Sequence, residues 1–150
     1  MKIAYVEIDT LLAQYNFCID LNEGMVKKSE NVRLTLNQKA RELDKQKQDF
    51  QTKYQNNAYL SPERAQQEYN RIAKLEQDLQ TLSNKLQSEL MSENEKNSLQ
   101  LRDSINAFLK EYNKTKGYSM IISNTGFDNL LYADSIYNIT KEIVEAVSYT

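Results

Sequence analysis

The sequence predicts an α+β chain in which a long antiparallel helical hairpin, packed like a coiled coil, projects from a small β-rich oligomerisation body. Apolar runs occur only near the two ends, whereas the middle is polar and the mean hydropathy is −0.71. Single apolar residues recur through that middle at multiples of three, four and seven, the spacing of a narrow helical seam. This layout favours a small body with an extended arm over a compact globule.

The first residues predict a strand followed by a short helix. Residues 3–8 (IAYVEI) are rich in β-branched and aromatic side chains, and alternate apolar residues share one face. Asp9 or Thr10 then provides a candidate helix cap, and apolar residues follow at helical spacing. The first strand is therefore expected to lead directly into helix.

The polar middle predicts two long helices separated by a tight reversal. Asn56 and Asn57 suit the left-handed end of a helix. Ser61 suits a helix N-cap, and Pro62, the only proline, suits the first helical position. The first helix is expected to run from about residue 21 to 57, and the second from 62 to about 114.

These helices define the expected domains. Residues 21–114 are assigned to the arm with its tip near 57–62, and residues 1–20 plus 115–150 to the discontinuous β-rich body. Residues 92–98 (SENEKNS) offer nothing apolar, so loose packing is expected there. The two seams comprise Met25, Val32, Leu36, Leu43, Phe50 and Tyr54, then Ala65, Tyr69, Ile72, Leu75, Leu79, Leu82, Leu86, Leu90, Leu101, Ile105, Phe108 and Tyr112.

The last residues predict a β-hairpin and a final helix. Residues 118–123 and 129–134 have the composition of strands, and residues 124–128 supply a turn between them. Thr140 is expected to cap the final helix. A body of three strands and two short helices has a meagre core, so we expect it to oligomerise.

The side chains that catalysis and metal binding usually require are scarce. There is no His, and the single Cys18 excludes a disulfide or a cysteine cluster within one chain. The three glycines are too scattered for a phosphate-binding loop. Most of the 21 acidic residues fall on solvent-facing helix positions. We therefore expect no enzyme activity, no catalytic residue, no metal and no cofactor.

Charge and hydropathy also limit the partners. The net charge is −2, of which residues 23–114 contribute +2 and the remainder −4. A dedicated nucleic-acid binder would be more basic, so we expect no nucleic acid. No stretch approaches the roughly 18 apolar residues of a membrane span, so no integral membrane segment is expected.

Four short segments carry a resemblance to a known family. They are KIAYVEIDTLL (residues 2–12), GYSMIISNTG (117–126), LLYAD (130–134) and NITKEI (138–143). In this order, with a helical arm between the first two, the chain resembles the Skp/OmpH family of periplasmic chaperones. The resemblance covers mainly the ends, because any coiled coil would match the middle.

The resemblance implies a jellyfish-like homotrimer with a central β-barrel and three helical arms. Its function would be ATP-independent holding of unfolded outer-membrane proteins in the periplasm, which prevents their aggregation. A signal peptide would have been removed before Met1. The residues assigned to oligomerisation are Ile3, Tyr5, Val6, Ile8, Met120, Ile121, Ile122, Leu130, Leu131 and Tyr132.

Apolar residues near the arm tip are the candidates for client binding, namely Phe50, Tyr54, Tyr59, Leu60 and Tyr69. Tyr combines apolar area with a polar edge and so tolerates varied partners. The alternative is mutual packing that closes the hairpin, which is favoured for Tyr54 and Tyr69. The chain is acidic, with a pI near 5.3, whereas well-studied family members are basic, so charge is expected to contribute less to client capture.

Two other functions share this architecture. One is an oligomeric coiled-coil spacer or scaffold that docks a defined partner, and the other is a prefoldin-like cytoplasmic chaperone. Residues 117–134 favour the Skp/OmpH interpretation over both.

Overall fold

The computed structural model describes residues 1–125 and 130–148. Its elements, numbered here in chain order, are β1 (Ile3–Glu7), α1 (Ile8–Gln14), α2 (Asn16–Gln55), α3 (Pro62–Lys116), β2 (Met120–Asn124), a 3₁₀ turn (Ser135–Tyr137) and α4 (Thr140–Val147). Two compact units divide the chain: Met1–Gly24 with Asn94–Thr150, and Met25–Glu93. The α+β class and the two long helices are as predicted.

The sheet of the first unit is a parallel pair, in which Ile3 aligns with Met120 and Glu7 with Asn124. Parallel strands cannot be joined by a tight turn and need a long crossover. Here α1, α2 and α3 together provide that crossover. The two ends of the helical connection therefore start and finish at the same small sheet.

The second strand begins later than predicted because the chain before it is held by α3. Gly117 adopts a left-handed backbone (φ 72°), where a glycine costs least, and ends the helix. The Asn113 side chain then accepts a hydrogen bond from the Tyr118 N–H at 2.6 Å and donates one to the Tyr118 carbonyl at 2.9 Å. Tyr118 is thereby kept out of the sheet, and β2 starts at Met120 instead.

The predicted β-hairpin after β2 is wrong in the described residues. Residues 130–134 form no strand, and the side chains of Leu131 and Tyr132 are 90% and 88% exposed. The chain returns to the sheet later and beside the other strand, since Asn138 forms an isolated parallel bridge with Tyr5 of β1. The predicted turn falls mostly on residues 126–129, which lie outside the described part of the chain.

The first unit closes around a small apolar core beneath β1. Glu7 donates its backbone N–H to the Thr140 hydroxyl at 2.8 Å, and Ile139 donates to the Tyr5 carbonyl at 3.0 Å. These bonds dock the start of α4 on the strand. The buried members of the core are Ala4, Val6, Leu11, Ile139, Ile143 and Val147.

Two predicted helix caps are corrected. Thr140 is the first helical residue of α4, and the Asn138 side chain accepts hydrogen bonds from its N–H (3.0 Å) and its hydroxyl (2.6 Å). The hydroxyl of Thr140 is thus engaged with Asn138 and Glu7 and does not cap. The second correction concerns α1, which starts at Ile8, a residue predicted to belong to the first strand. Neither Asp9 nor Thr10 therefore caps α1.

The second unit is an antiparallel pair formed by residues 25–55 of α2 and 62–93 of α3. Most of its seam is confirmed, since Leu43, Ala65 and Ile72 are buried and the remaining seam leucines are half-buried. The seam residues Tyr54 and Tyr69 are instead exposed. Ion pairs cross between the helices at Lys28–Glu93 (2.7 Å) and Lys47–Glu76 (2.9 Å). Because both pairs are exposed, apolar packing along the seam supplies most of the pairing free energy.

The core predicts a clear contrast between two isoleucines. Ile143→Ala removes a side chain that is 0% exposed, and we expect a loss of about 2–5 kcal/mol in the free energy of unfolding. Ile136→Ala is the matched control, because Ile136 is 75% exposed and should change stability little. Urea titration followed by circular dichroism measures both, and equal losses would contradict the assigned core.

Candidate functional site

The tip of the hairpin is built by backbone signals at the end of α2 and the start of α3. Asn57 adopts a left-handed conformation (φ 52°), and the Ala58 N–H donates to the Lys53 carbonyl at 2.9 Å, which closes the helix end. Ser61 caps α3, because its hydroxyl accepts a hydrogen bond from the Arg64 N–H at 3.2 Å. The predicted reversal is therefore confirmed, with Pro62 opening the second helix.

Phe50 is the centre of an aromatic cluster at this tip. Its ring centroid lies 5.9 Å from that of Tyr54, 5.6 Å from Tyr59 and 6.1 Å from Tyr69. These separations are in the range of favourable aromatic pairs. The mutual packing considered for Tyr54 and Tyr69 is thus present, although these two side chains remain 64% and 57% exposed.

Two further predicted tip residues differ in their surroundings. Tyr59 is half-buried, and burial raises the pKa of its hydroxyl, with a further rise from the Glu68 carboxylate. Leu60 is 87% exposed at the turn itself. The tip therefore presents an apolar surface with phenolic edges, which we call the tip surface: Phe50, Tyr54, Tyr59, Leu60 and Tyr69.

Charges near the tip surface are partly neutralised by pairing. The Arg71 guanidinium donates to both carboxylate oxygens of Glu68, at 3.0 Å and 2.5 Å. This bidentate hydrogen bonding lowers the pKa of the Glu68 carboxyl and raises that of Arg71. A partner at the tip surface would therefore contact apolar and phenolic groups beside the Arg71–Glu68 ion pair, whose charges already neutralise each other.

A second surface lies in the first unit, where an apolar groove of about 480 Å³ runs beside the sheet. We call it the body groove. The sequence placed Leu101 and Ile105 in the arm seam and did not predict that they line a concave surface with the sheet. The sequence signal that could have indicated this groove is the return of apolar residues at helical spacing from Leu101 onwards. Its main apolar lining residues are Val6, Ile8, Leu11, Leu12, Leu101, Ile105, Leu109, Ile121 and Ile122.

The residues assigned to oligomerisation occupy three kinds of position. Ile8, Ile121 and Ile122 line the body groove, whereas Val6 is also buried in the core of its own chain. Ile3, Tyr5 and Leu130 are half-buried. Exposed apolar side chains are found at Met120, Leu131 and Tyr132.

Groups suited to other chemistry are few among residues 1–125 and 130–148. This part of the chain holds no cluster of three or more Cys, Asp or Glu side chains that could bind a metal. The Cys18 thiol is buried, which raises its pKa, and it accepts a hydrogen bond from the Asn22 amide at 3.6 Å.

No helix in the described ranges has the length and hydropathy needed to cross a membrane.

Comparison with known families gives one match that spans nearly the whole chain. The family model described as outer membrane protein (OmpH-like) matches residues 2–147. A comparison with curated proteins finds no match. The chain therefore belongs to the OmpH-like family, as the resemblance at its two ends indicated.

Proposed function

We propose that this protein is an ATP-independent holdase chaperone of the periplasm, which binds unfolded outer-membrane β-barrel proteins and prevents their aggregation. The observation that carries the proposal is the family match over residues 2–147. A long helical hairpin with an exposed apolar tip supports the same function, because unfolded membrane proteins expose apolar segments that need to be covered. Neither a catalytic residue nor a cofactor enters this mechanism.

Client binding is proposed to use many weak contacts along the hairpin. Apolar side chains are exposed at intervals along the second unit, and the tip surface adds several more. Each contact removes little area from water and is individually weak. Together they gain by multivalency, which raises overall affinity without any deep pocket. The exposed apolar residues of this unit are Val26, Leu34, Tyr54, Leu60, Tyr69 and Met91.

Weak contacts also explain how a client could leave without ATP. A bound segment that dissociates from one patch of the hairpin is replaced by another, so no single bond controls release. Because residues 23–114 carry a net charge of only +2, electrostatic attraction is proposed to contribute less than apolar contact. Exposed charge pairs are screened by salt, whereas apolar contacts persist.

The protein is further proposed to act as a homotrimer held together by the first unit. Its core is small for independent stability, and the body groove leaves apolar area beside a sheet of two strands. An open sheet edge with exposed apolar residues invites pairing with another chain. Met120, Leu131 and Tyr132 would then be covered by neighbouring subunits.

Client binding is tested with a labelled, urea-unfolded β-barrel protein diluted into solutions of the chaperone. Replacing both Tyr59 and Leu60 with Ser should weaken binding by at most about tenfold, or about 1.4 kcal/mol. The matched control replaces Gln51 and Gln67 with Ser, which shortens two exposed polar side chains near the same tip. Fluorescence anisotropy measures each affinity, and raising salt from about 50 to 500 mM should weaken it only modestly.

Two results would contradict this model of binding. If the wild-type protein does not bind an unfolded β-barrel, the chaperone function is wrong. If Tyr59→Ser with Leu60→Ser abolishes binding while the fold is kept, the tip is a defined docking site, as expected for a spacer or scaffold.

Assembly is tested by placing charge on the exposed apolar segment. Leu131→Asp with Tyr132→Asp should convert the trimer into monomers, because burying two carboxylates between subunits is costly. Val26→Asp is the control, since Val26 is exposed on the other unit. Light scattering at micromolar concentration gives the mass, and a wild-type protein that is a stable monomer would contradict the proposed trimer.

A further inference from the structure

The segment between β2 and α4 exposes a run of large apolar side chains. Leu131 is 90% exposed, Tyr132 88% and Ile136 75%. We call residues 130–137 the apolar strap. It contains no strand, and its regular structure is limited to the 3₁₀ turn Ser135–Tyr137. Because large apolar side chains that are neighbours in an exposed segment mark an interaction site, the strap is a candidate for contact with another surface.

The body groove lies on the same unit as the strap and is not filled by it. This groove of about 480 Å³ is lined by apolar side chains such as Leu12 on α1, Leu101 on α3 and Ile122 on β2. The residues that line it include none of the strap residues 130–137. The first unit therefore carries an apolar groove and an apolar strap, and neither covers the other.

We propose that the strap of one subunit docks in the body groove of the next subunit, with Leu131 and Tyr132 as the side chains that enter the groove. The inference rests on the proposed homotrimer and names the contact that holds it together. Groove and strap consist of different residues, so the contact is head-to-tail. Head-to-tail contacts close into a ring when the rotation between subunits allows it, and a trimer is such a ring.

The area of the strap is sufficient for a specific interface. Four of its apolar side chains are exposed, namely Leu131, Tyr132, Ile136 and Tyr137. Together they offer roughly 600 Å² of surface, since a single tyrosine can bury about 150–250 Å². Covering the strap with an equal area of the neighbour would bury on the order of 1,200 Å² per contact, the lower end of the range for specific interfaces. A closed trimer contains this contact three times.

Charges beside the groove and on the strap are complementary. Arg102 lines the groove, and its guanidinium lies 3.7 Å from the Asp103 carboxylate, which is longer than a hydrogen bond. Asp134 is an exposed residue of the strap, two positions after Tyr132. A strap that inserts Tyr132 would therefore carry a carboxylate to the edge of a groove that holds a guanidinium. Opposite charges at the edge of an interface favour one orientation of the two partners.

The contact is tested by placing one cysteine in the strap and one in the groove of the full-length chain. Tyr132→Cys with Leu101→Cys should give covalent trimers on mild oxidation, whereas trimers refolded from a mixture of the two single variants should give covalent dimers only. Tyr132→Cys with Val26→Cys is the matched control, because Val26 is exposed on the other unit, and it should not cross-link. The native Cys18 is buried. Ile122→Cys is a second groove position in case Leu101→Cys does not fold. Denaturing electrophoresis without reductant measures the products.

The charge contribution is tested by reversing one groove residue. Arg102→Glu should raise the dissociation constant of the trimer about fivefold, because two carboxylates would then meet at the contact. Lys110→Glu is the matched control, since it makes the same change of charge at an exposed position of α3 that does not line the groove. Analytical ultracentrifugation measures both constants, and equal constants for the two variants would contradict the role of Arg102.

Failure of this inference is distinguishable from failure of the proposed function. A wild-type trimer in which neither groove cysteine cross-links to the strap overturns the inference and leaves the trimer standing. Cross-linking by Tyr132→Cys alone also overturns it, because identical residues would then meet across a two-fold contact. A wild-type monomer overturns both the trimer and the inference, while binding of an unfolded β-barrel decides the chaperone function separately.

Discussion

The parallel pairing of β1 with β2 is the contact on which the rest of the molecule depends. It places Ile3 beside Met120 and Val6 beside Ser123, so the chain must leave the sheet at the end of β1 and return to the side where β1 begins. Two long helices joined by a tight reversal satisfy that requirement. The pairing also covers Ala4 and Val6, around which α1 and α4 assemble the core. Loss of this contact would expose Ala4 and Val6 and disrupt the core of the first unit.

The hairpin itself is held by a narrow seam. Only Leu43, Ala65 and Ile72 are buried among the described residues of the second unit, and the ion pairs between its helices are exposed. Pairing of this kind is sufficient to keep the helices together but leaves little margin against local opening. A holdase benefits from the same property, because a surface that binds weakly and adapts can accept different unfolded segments.

Local signals were sufficient to predict the arm. Asn57, Ser61 and Pro62 each act on the backbone within one helical turn, so the reversal could be placed from the sequence. The parallel register could not, because β-branched residues suit parallel and antiparallel strands equally. The hairpin strand predicted at residues 129–134 failed in its described part for a related reason: strand propensity does not select a partner, and the chain returns to the sheet only at Asn138, beside Tyr5 of β1.

The candidate surfaces were predicted to different degrees. The tip residues follow from their proximity to the reversal, but the central position of Phe50 depends on side-chain directions that spacing alone does not give. The body groove combines residues from four separate elements, β1, α1, α3 and β2, so it forms only once the chain has folded.

The most direct measurement of the central claim is aggregation of several unrelated β-barrel membrane proteins, each diluted from urea without ATP, with and without this protein. A chaperone that uses many weak apolar contacts should suppress the light scattering of all of them at similar protein ratios. Suppression of one client alone, or of none, would contradict that claim and would indicate a scaffold that docks a defined partner.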